Sequence, residues 1–301
     1  MDEVPQVVVV GAACRDLVDD DPRGWRLGGG ASYAALALAR LGLRVGALVV
    51  ADDAAAASTE LRLVREAGVD LRFVPGARGP IFINVESPAG RLQRAPQVSD
   101  PVDPAALPDA WRSAGAWMFA PVAAEVRDAW ADVPPAGALV AVGWQGLLRV
   151  LAPGEPVERH LPGPSPVVRR ADLVGVGRDD VERGMRPEAL LEHLHPGATM
   201  LFTDAARGGA AYTVGERPSE VRVRGWESIP IRRYVDPVGA GDTFLAGVFA
   251  AWIAPSIMAG YPGPDPDLRL GAACASLILE GPGMFAVPQL DDALRRMHGV
   301  A

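Results

Sequence analysis

The sequence predicts an α/β fold built on a largely parallel sheet with helices on both faces, and three observations carry that expectation. Short apolar strands alternate with helical or looped segments over most of the chain. At 49% hydrophobic and 22% charged residues the composition is that of an ordinary globular protein. A length of 301 residues is enough for one large core. In such sheets ligands bind beyond the carboxyl ends of the strands, where loops meet helix N-termini. Glycine-rich junctions between strand and helix are therefore where chemistry is expected.

Residues 7–14, VVVVGAAC, read as a buried strand ending in a glycine turn. The polar, turn-rich stretch 16–27 does not read as core. GGGASYAALALARLG (28–42) reads as a glycine loop running into a helix, with Ala34, Ala35, Leu38 and Leu41 on one face and Gly42 at its end. A strand at 44–50 and a helix at 55–70 follow. Segments 79–87 and 90–97 read as two short strands around Pro88-Ala89-Gly90, which with 16–27 form a small sheet outside the main layer. Further strands, each followed by a loop or helix, are expected in 114–122, 137–146, 171–177 and 198–214. The proline-rich stretches 153–166 and 262–266 read as surface loops within one domain spanning 1–301.

Several function classes are excluded or disfavoured. The formal charge of −8, without a basic run, argues against nucleic acid and anionic membranes as partners. All 29 basic residues are arginine. A Walker A loop and a protein-kinase strand lysine are therefore impossible, as is Schiff-base chemistry on lysine. Cys14 and Cys274 belong to no CxxC pair, so neither a zinc site nor a disulfide framework is indicated. The acidic start of the sequence does not read as a signal peptide, no apolar run reaches membrane-spanning length, and a cytoplasmic location is expected.

The most informative stretch is DPVGAGDTFLAG (236–247), which places a glycine loop and an aspartate before an apolar helical run. Free N–H groups and the dipole at a helix N-terminus attract negative charge, and glycines let an anion approach closely. An aspartate there would repel a phosphate if binding were its only task. It makes sense if Asp242 takes a proton from an attacking hydroxyl while the amides of Gly239, Ala240 and Gly241 hold the charge on a transferring phosphoryl group. The alternative is a glycine turn with Asp242 as an N-cap.

DPVGAGDTFLAG is similar to the DTxGAGD signature of the PfkB, or ribokinase-like, family of small-molecule kinases, and GGGASYAALALARLG resembles that family's first signature. The two motifs stand in the expected order, some 200 residues apart. The resemblance implies a Rossmann-like, three-layer α/β/α core, with a small β lid formed by about 16–27 and 79–97. It implies ATP as donor, Mg²⁺, and transfer to an alcohol of a small polyol. It also implies Asp242 as base with residues 239–242 as the anion hole, and Asp16, in GAACRD, binding a substrate hydroxyl beside Gly28, Gly29 and Gly30. Thr203, Arg207 and Gly208 fall in the family's TxGxxG segment, and Asp236 opens the GAGD motif. The segment 272–288, with Cys274, is expected along the nucleotide base, and dimerisation through lid strands is the family-based expectation.

The chain departs from the family in three places. Tyr33 stands where an asparagine usually binds a sugar hydroxyl; it either donates one hydrogen bond to the acceptor or packs under the lid. The NxxE segment reads Gly177-Arg178-Asp179-Asp180, so Asp180 either keeps a water-mediated role toward Mg²⁺ or is an exposed acidic helix start. In the TxGxxG segment Ala205 replaces the first glycine, and Arg207 either assists the phosphates or is a solvated surface residue. The Tyr33 variant favours a cyclitol such as myo-inositol or an unusual sugar over ribose, with nucleosides also open. A rival from another class is a non-catalytic nucleotide or sugar sensor on the same fold. A NAD-dependent dehydrogenase ranks below both, because GAACRD stands where GxGxxG would be required.

Overall fold

Four consecutive valines start the architecture. Val7–Val10 are β-branched and fully buried, and they alternate between two cores on opposite faces of one sheet: Val7 and Val9 on one side, Val8 and Val10 on the other. The computed structural model describes residues 3–87, 90–217 and 220–299. The lid turn expected at Pro88 and Ala89 lies outside the described residues.

The elements run β1 (Val7–Ala12), β2 (Cys14–Leu17), β3 (Trp25–Gly28), α1 (Gly30–Arg40), β4 (Val45–Val50), α2 (Asp53–Ala56), α3 (Thr59–Glu66) and β5 (Asp70–Phe73). Next come β6 (Ile81–Ser87), β7 (Gly90–Gln97), β8 (Ala116–Ala120), β9 (Leu139–Gly143), β10 (Arg149–Val150), β11 (Glu158–Arg159), α4 (Pro166–Arg170) and β12 (Leu173–Gly177). The chain continues with β13 (Thr199–Thr203), β14 (Gly209–Val214), β15 (Val221–Trp226), α5 (Ala240–Ile253), α6 (Pro266–Ile278) and α7 (Leu290–Met297).

The main sheet has nine strands in the order β15-β14-β13-β12-β9-β8-β1-β4-β5. It is parallel from β13 to β5, and β14 and β15 add an antiparallel edge. From β1 the chain adds strands first toward β5 and then, after the lid, toward β13 on the other side. The order therefore reverses between β1 and β8, a place where open α/β sheets bind ligands.

Two expectations are corrected here, and the helices expected on both faces are present in unequal number. The helix read over 55–70 is broken at Ser58, which caps α3 through its hydroxyl, and Asp70–Phe73 leaves the helix to pair with β4 as an edge strand. The strand read over 198–214 is an antiparallel pair folded back around Gly208, whose φ of +82° suits the turn. Helices do not cover the two faces equally. One face carries α1, α3, α5, α6 and α7. The other is covered by α4 and by single 3-10 turns that bring in Trp111, Trp130 and Trp144, joined by Trp117 of β8. Prolines 104, 108, 134 and 135 keep those segments short. Trp117 and Trp130 donate their indole N–H groups to Ala114 O (3.0 Å) and Val102 O (2.7 Å), so the rings are buried without a polar penalty.

A separate four-stranded sheet, β3-β2-β6-β7, stands over the carboxyl end of β1. Ion pairs fasten it to the core: Arg15 to Asp52 at 2.7 Å, and Arg23 to the buried Glu60 through two hydrogen bonds of 2.7 and 2.9 Å. The stretch 153–166, expected as a surface loop, instead reaches the outer edge of β7. Gly154 N–H donates to Ala95 O (2.9 Å) and Val157 N–H to Gln93 O (2.8 Å). Arg94, on the same strand, donates to Gly154 O at 3.2 Å. The Gln93–Ala95 part of the β7 edge is thus paired with the chain's own residues. No helix among the described residues is long and apolar enough to cross a membrane.

Candidate active site

Five parallel strands end at one cleft of about 230 Å³. β1 leads into Cys14 and Asp16, β8 into Val122, β9 into Gln145 and Arg149, β12 into Gly177 and Asp180, and β13 ends at Thr203. The glycine run before α1 and the loop before α5 close its floor, and Phe82 and Gln93 of the lid face it from above.

The floor is shaped by glycines with no room for a side chain. A Cβ at Gly28 would overlap Asp16 Oδ2, and one at Gly30 would fall 2.8 Å from Asp242 Oδ1. Gly29 caps α1 at φ +102° against Ala12 O. The glycine run therefore brings two acids that lie 226 positions apart in sequence against one backbone turn.

Helix α5 begins at Ala240 with Gly239 as its N-cap at φ +78°, and no side chain caps it. The N-cap alternative for Asp242 is thereby corrected: Asp242 is the third helical residue and lines the cleft. Gly239, Ala240 and Gly241 line it too, so the open end of a 14-residue helix borders the cavity. Burial raises the Asp242 pKa, the neighbouring Asp180 charge raises it further, and Arg149 partly opposes them, leaving it at about 7. The residue keeps a window onto the cleft although protein packs around it.

Tyr33 is fully buried, and its ring packs against Gly239, where a Cβ would overlap it. It supports the loop before α5 and is also among the residues that line the cleft. Its hydroxyl lies toward Gly283 and has no hydrogen-bond partner among the described residues. Burial, followed by the nearby Asp236 charge, pushes its pKa well up, so it stays a neutral phenol.

Asp180 lines the same cleft and accepts from Gly177 N–H and from Gln145 Nε2, both at 2.8 Å. It is not an exposed helix start but a braced carboxylate in the cavity wall. Among the described residues no three His, Cys, Asp or Glu side chains gather as a metal-holding group.

Four residues expected at the donor do not line this cleft. Asp236 is buried, and its carboxylate accepts from Val238 N–H (2.9 Å) and Gly283 N–H (3.2 Å), with Arg26 of the lid 3.8 Å away. It braces the glycine loop instead of facing the cleft. Cys274, on α6, is fully buried against Gly247 of α5, and burial pushes its thiol to about 12. Arg207 is exposed and engages Asp204 through two hydrogen bonds of 2.8 and 2.6 Å. Gly208 turns the chain where a Cβ would overlap Trp226 O. Thr203 alone of the TxGxxG candidates lines the cavity.

Sequence reasoning missed Arg149, Gln145, Gln93 and Phe82 as cavity residues. Arg149 NH1 donates to Val122 O at 3.1 Å, and its guanidinium lies 5.9 Å from the centre of the Phe82 ring. The available signal was the position of WQGLLR directly after the carboxyl end of β9. Trp144, by contrast, is core.

The sheet, the lid sheet and the cleft at the strand-order reversal define a ribokinase-like α/β protein, and comparisons agree. Residues 173–289 match the model of the pfkB family of carbohydrate kinases, so the resemblance drawn from the motifs stands. No curated protein matches the chain in sequence. A ribokinase from Giardia lamblia is 18% identical, with 98% of this chain and 99% of that one covered at a TM-score of 0.72. An Arabidopsis thaliana ribokinase complexed with ribose and ATP is 17% identical, covering 98% and 99% at 0.67. A pyrophosphate-dependent kinase of the ribokinase family, complexed with a pyrophosphate analogue and myo-inositol, is 16% identical, covering 95% and 98% at 0.69. These likenesses establish the fold.

Proposed function

We propose that this protein is an ATP-dependent kinase that phosphorylates a hydroxyl of a small polyhydroxylated molecule: a sugar, a cyclitol such as myo-inositol, or a nucleoside. One observation carries the reading. A carboxylate with a pKa of about 7 sits in the first turn of α5 and faces the cleft, next to the amides of Gly239–Gly241, of which Ala240 N–H also donates to Pro237 O at 3.2 Å. A general base works best when its pKa lies near the operating pH.

In this reading Asp242 removes the proton of the acceptor hydroxyl as it attacks the donor phosphorus. The Gly239–Gly241 amides and the α5 dipole stabilise the charge on the phosphoryl group in transfer. Asp16 and the Gly28–Gly30 turn orient the acceptor. The lid, fastened through Arg15 and Arg23, keeps water from competing with it. With no three-residue metal cluster among the described side chains, Mg²⁺ would be held by donor phosphates and waters, with Asp180 of the cleft wall as the protein carboxylate offered to it through water. Bound there, the metal would neutralise phosphate charge.

The bracing of Asp180 by Gln145 and Gly177 favours a second reading, a binder with weak or no turnover. Both readings are tested by following phosphorylated product with Mg²⁺, ATP or pyrophosphate as donor, and a panel of pentoses, hexoses, cyclitols and nucleosides. Product that disappears in Asp242→Ala supports the kinase. Saturable ATP binding without product from any acceptor supports the binder.

A further inference from the structure

Arg149 opens β10 directly after the turn Gln145–Leu148, and it is the one cation among the described residues lining the cleft. Its NH1 bond to Val122 O and its position over Phe82 set the plane of the guanidinium. Asp16 lines the same cavity and is the register partner of Phe82 across β2 and β6, the residue whose ring Arg149 covers. A directional chain from the lid orients Asp16: Gln93 Nε2 donates to Asn84 Oδ1 (2.8 Å), and Asn84 Nδ2 donates to Asp16 Oδ1 (3.3 Å).

The charge balance narrows what this end can accept. Asp16, Asp180 and Asp242 also line the cleft, and the fully buried Glu125, bonded to the amides of Val122 and Ala123, lies within reach of the Arg149 charge. An acidic acceptor would meet a surplus of negative charge. A neutral polyol meets complementary groups: a guanidinium is a planar fork of donors, a carboxylate a pair of acceptors, and two adjacent hydroxyls can satisfy both.

We propose that Arg149 is a specificity-determining residue that, together with Asp16, holds a vicinal diol of a neutral polyol, Arg149 donating to the diol oxygens and Asp16 accepting from a hydroxyl. This rests on the kinase reading for the class of acceptor, and it places a further hydroxyl of the same molecule toward Asp242. The competing role is structural, with Arg149 serving only as counter-charge to Glu125.

Calorimetric binding separates the two, since it needs no turnover. The probes are myo-inositol, D-ribose and adenosine, with and without a non-hydrolysable ATP analogue, followed by monodeoxy derivatives of whichever binds. The proteins are wild type, Arg149→Gln, Arg149→Lys and the double variant Arg149→Gln/Glu125→Gln, each checked for a native melting transition. Arg149→Gln is expected to weaken polyol binding roughly 10–100-fold, as loss of a hydrogen bond to a charged group does. Arg149→Lys restores part of it, and the double variant none. Removing one diol hydroxyl from the ligand costs wild type a similar factor and costs Arg149→Gln little more.

Equal polyol binding by wild type and Arg149→Gln overturns the proposal. So does recovery in the double variant, tighter Arg149-dependent binding of D-gluconate than of any neutral polyol, or no binding of the three probes to wild type. Arg149-dependent binding without turnover refutes the kinase reading and leaves this one standing. Turnover with Arg149-independent binding does the reverse.

Discussion

The raised pKa of Asp242 makes a stability prediction that does not depend on knowing the substrate. Its folded value of about 7 lies above the ordinary 3.8. Between those values the folded chain holds a proton that the unfolded chain has released, so stability falls as pH rises through the window and the loss is complete above it. A gap of about three units at ~1.4 kcal/mol each gives on the order of 4 kcal/mol, and solvent entering the cleft lowers this to roughly 2–4 kcal/mol. Asp242→Asn keeps the shape and removes the charge. At pH 5, about one unit above the unfolded value, the variant should already be the more stable by about 1 kcal/mol, and at pH 8.5 by roughly 2–4 kcal/mol. Chemical denaturation midpoints at the two pH values, with m-values compared, supply the test. A variant less stable than wild type at pH 8.5 would refute the reasoning, because it would mean that the carboxylate is stabilised by a partner rather than strained by burial.

Other outcomes follow from the same geometry. Asp180→Asn removes the charge that helps to raise the Asp242 pKa, so the acid limb of kcat/KM should move to lower pH; a limb that stays put or moves up contradicts the coupling. Gly239→Ala imposes a Cβ at φ +78° on the Tyr33 ring, with an expected loss on the order of 2 kcal/mol in denaturant titration; an unchanged midpoint would show that the loop before α5 is not held as described. Asp236→Ala orphans the amides of Val238 and Gly283, and should cost about 1–3 kcal/mol while donor affinity changes less than kcat. Loss of donor affinity at unchanged stability would instead restore Asp236 to the donor site.

Much of the fold was legible because strand and helix alternate in the sequence with little interruption. The glycine motifs were legible for a local reason: each sits at a strand-to-helix junction, and junctions of that kind face the ligand in open α/β sheets. What could not be read was tertiary. Asp236 and Asp242 are both acids of one short motif, and only the packing shows that one carboxylate is spent on backbone amides while the other faces the cleft. Cys274 and Arg207 were assigned by position in a motif, and burial in one case and an ion pair with Asp204 in the other take them away from the cavity. Arg149 carried no glycine or acidic flag of its own. It enters the cleft because a short turn after β9 aims it there, and because the chain beyond it rises to pair with the lid edge.

The most direct test of the central claim is single-turnover transfer of phosphate from ATP with Mg²⁺ to the best-bound polyol, measured for wild type and Asp242→Asn. The account predicts phosphorylated polyol from wild type, and a rate about 10²–10⁴-fold lower in the variant, with binding of both ligands preserved. An Asp242→Asn protein that transfers phosphate as fast as wild type would contradict it.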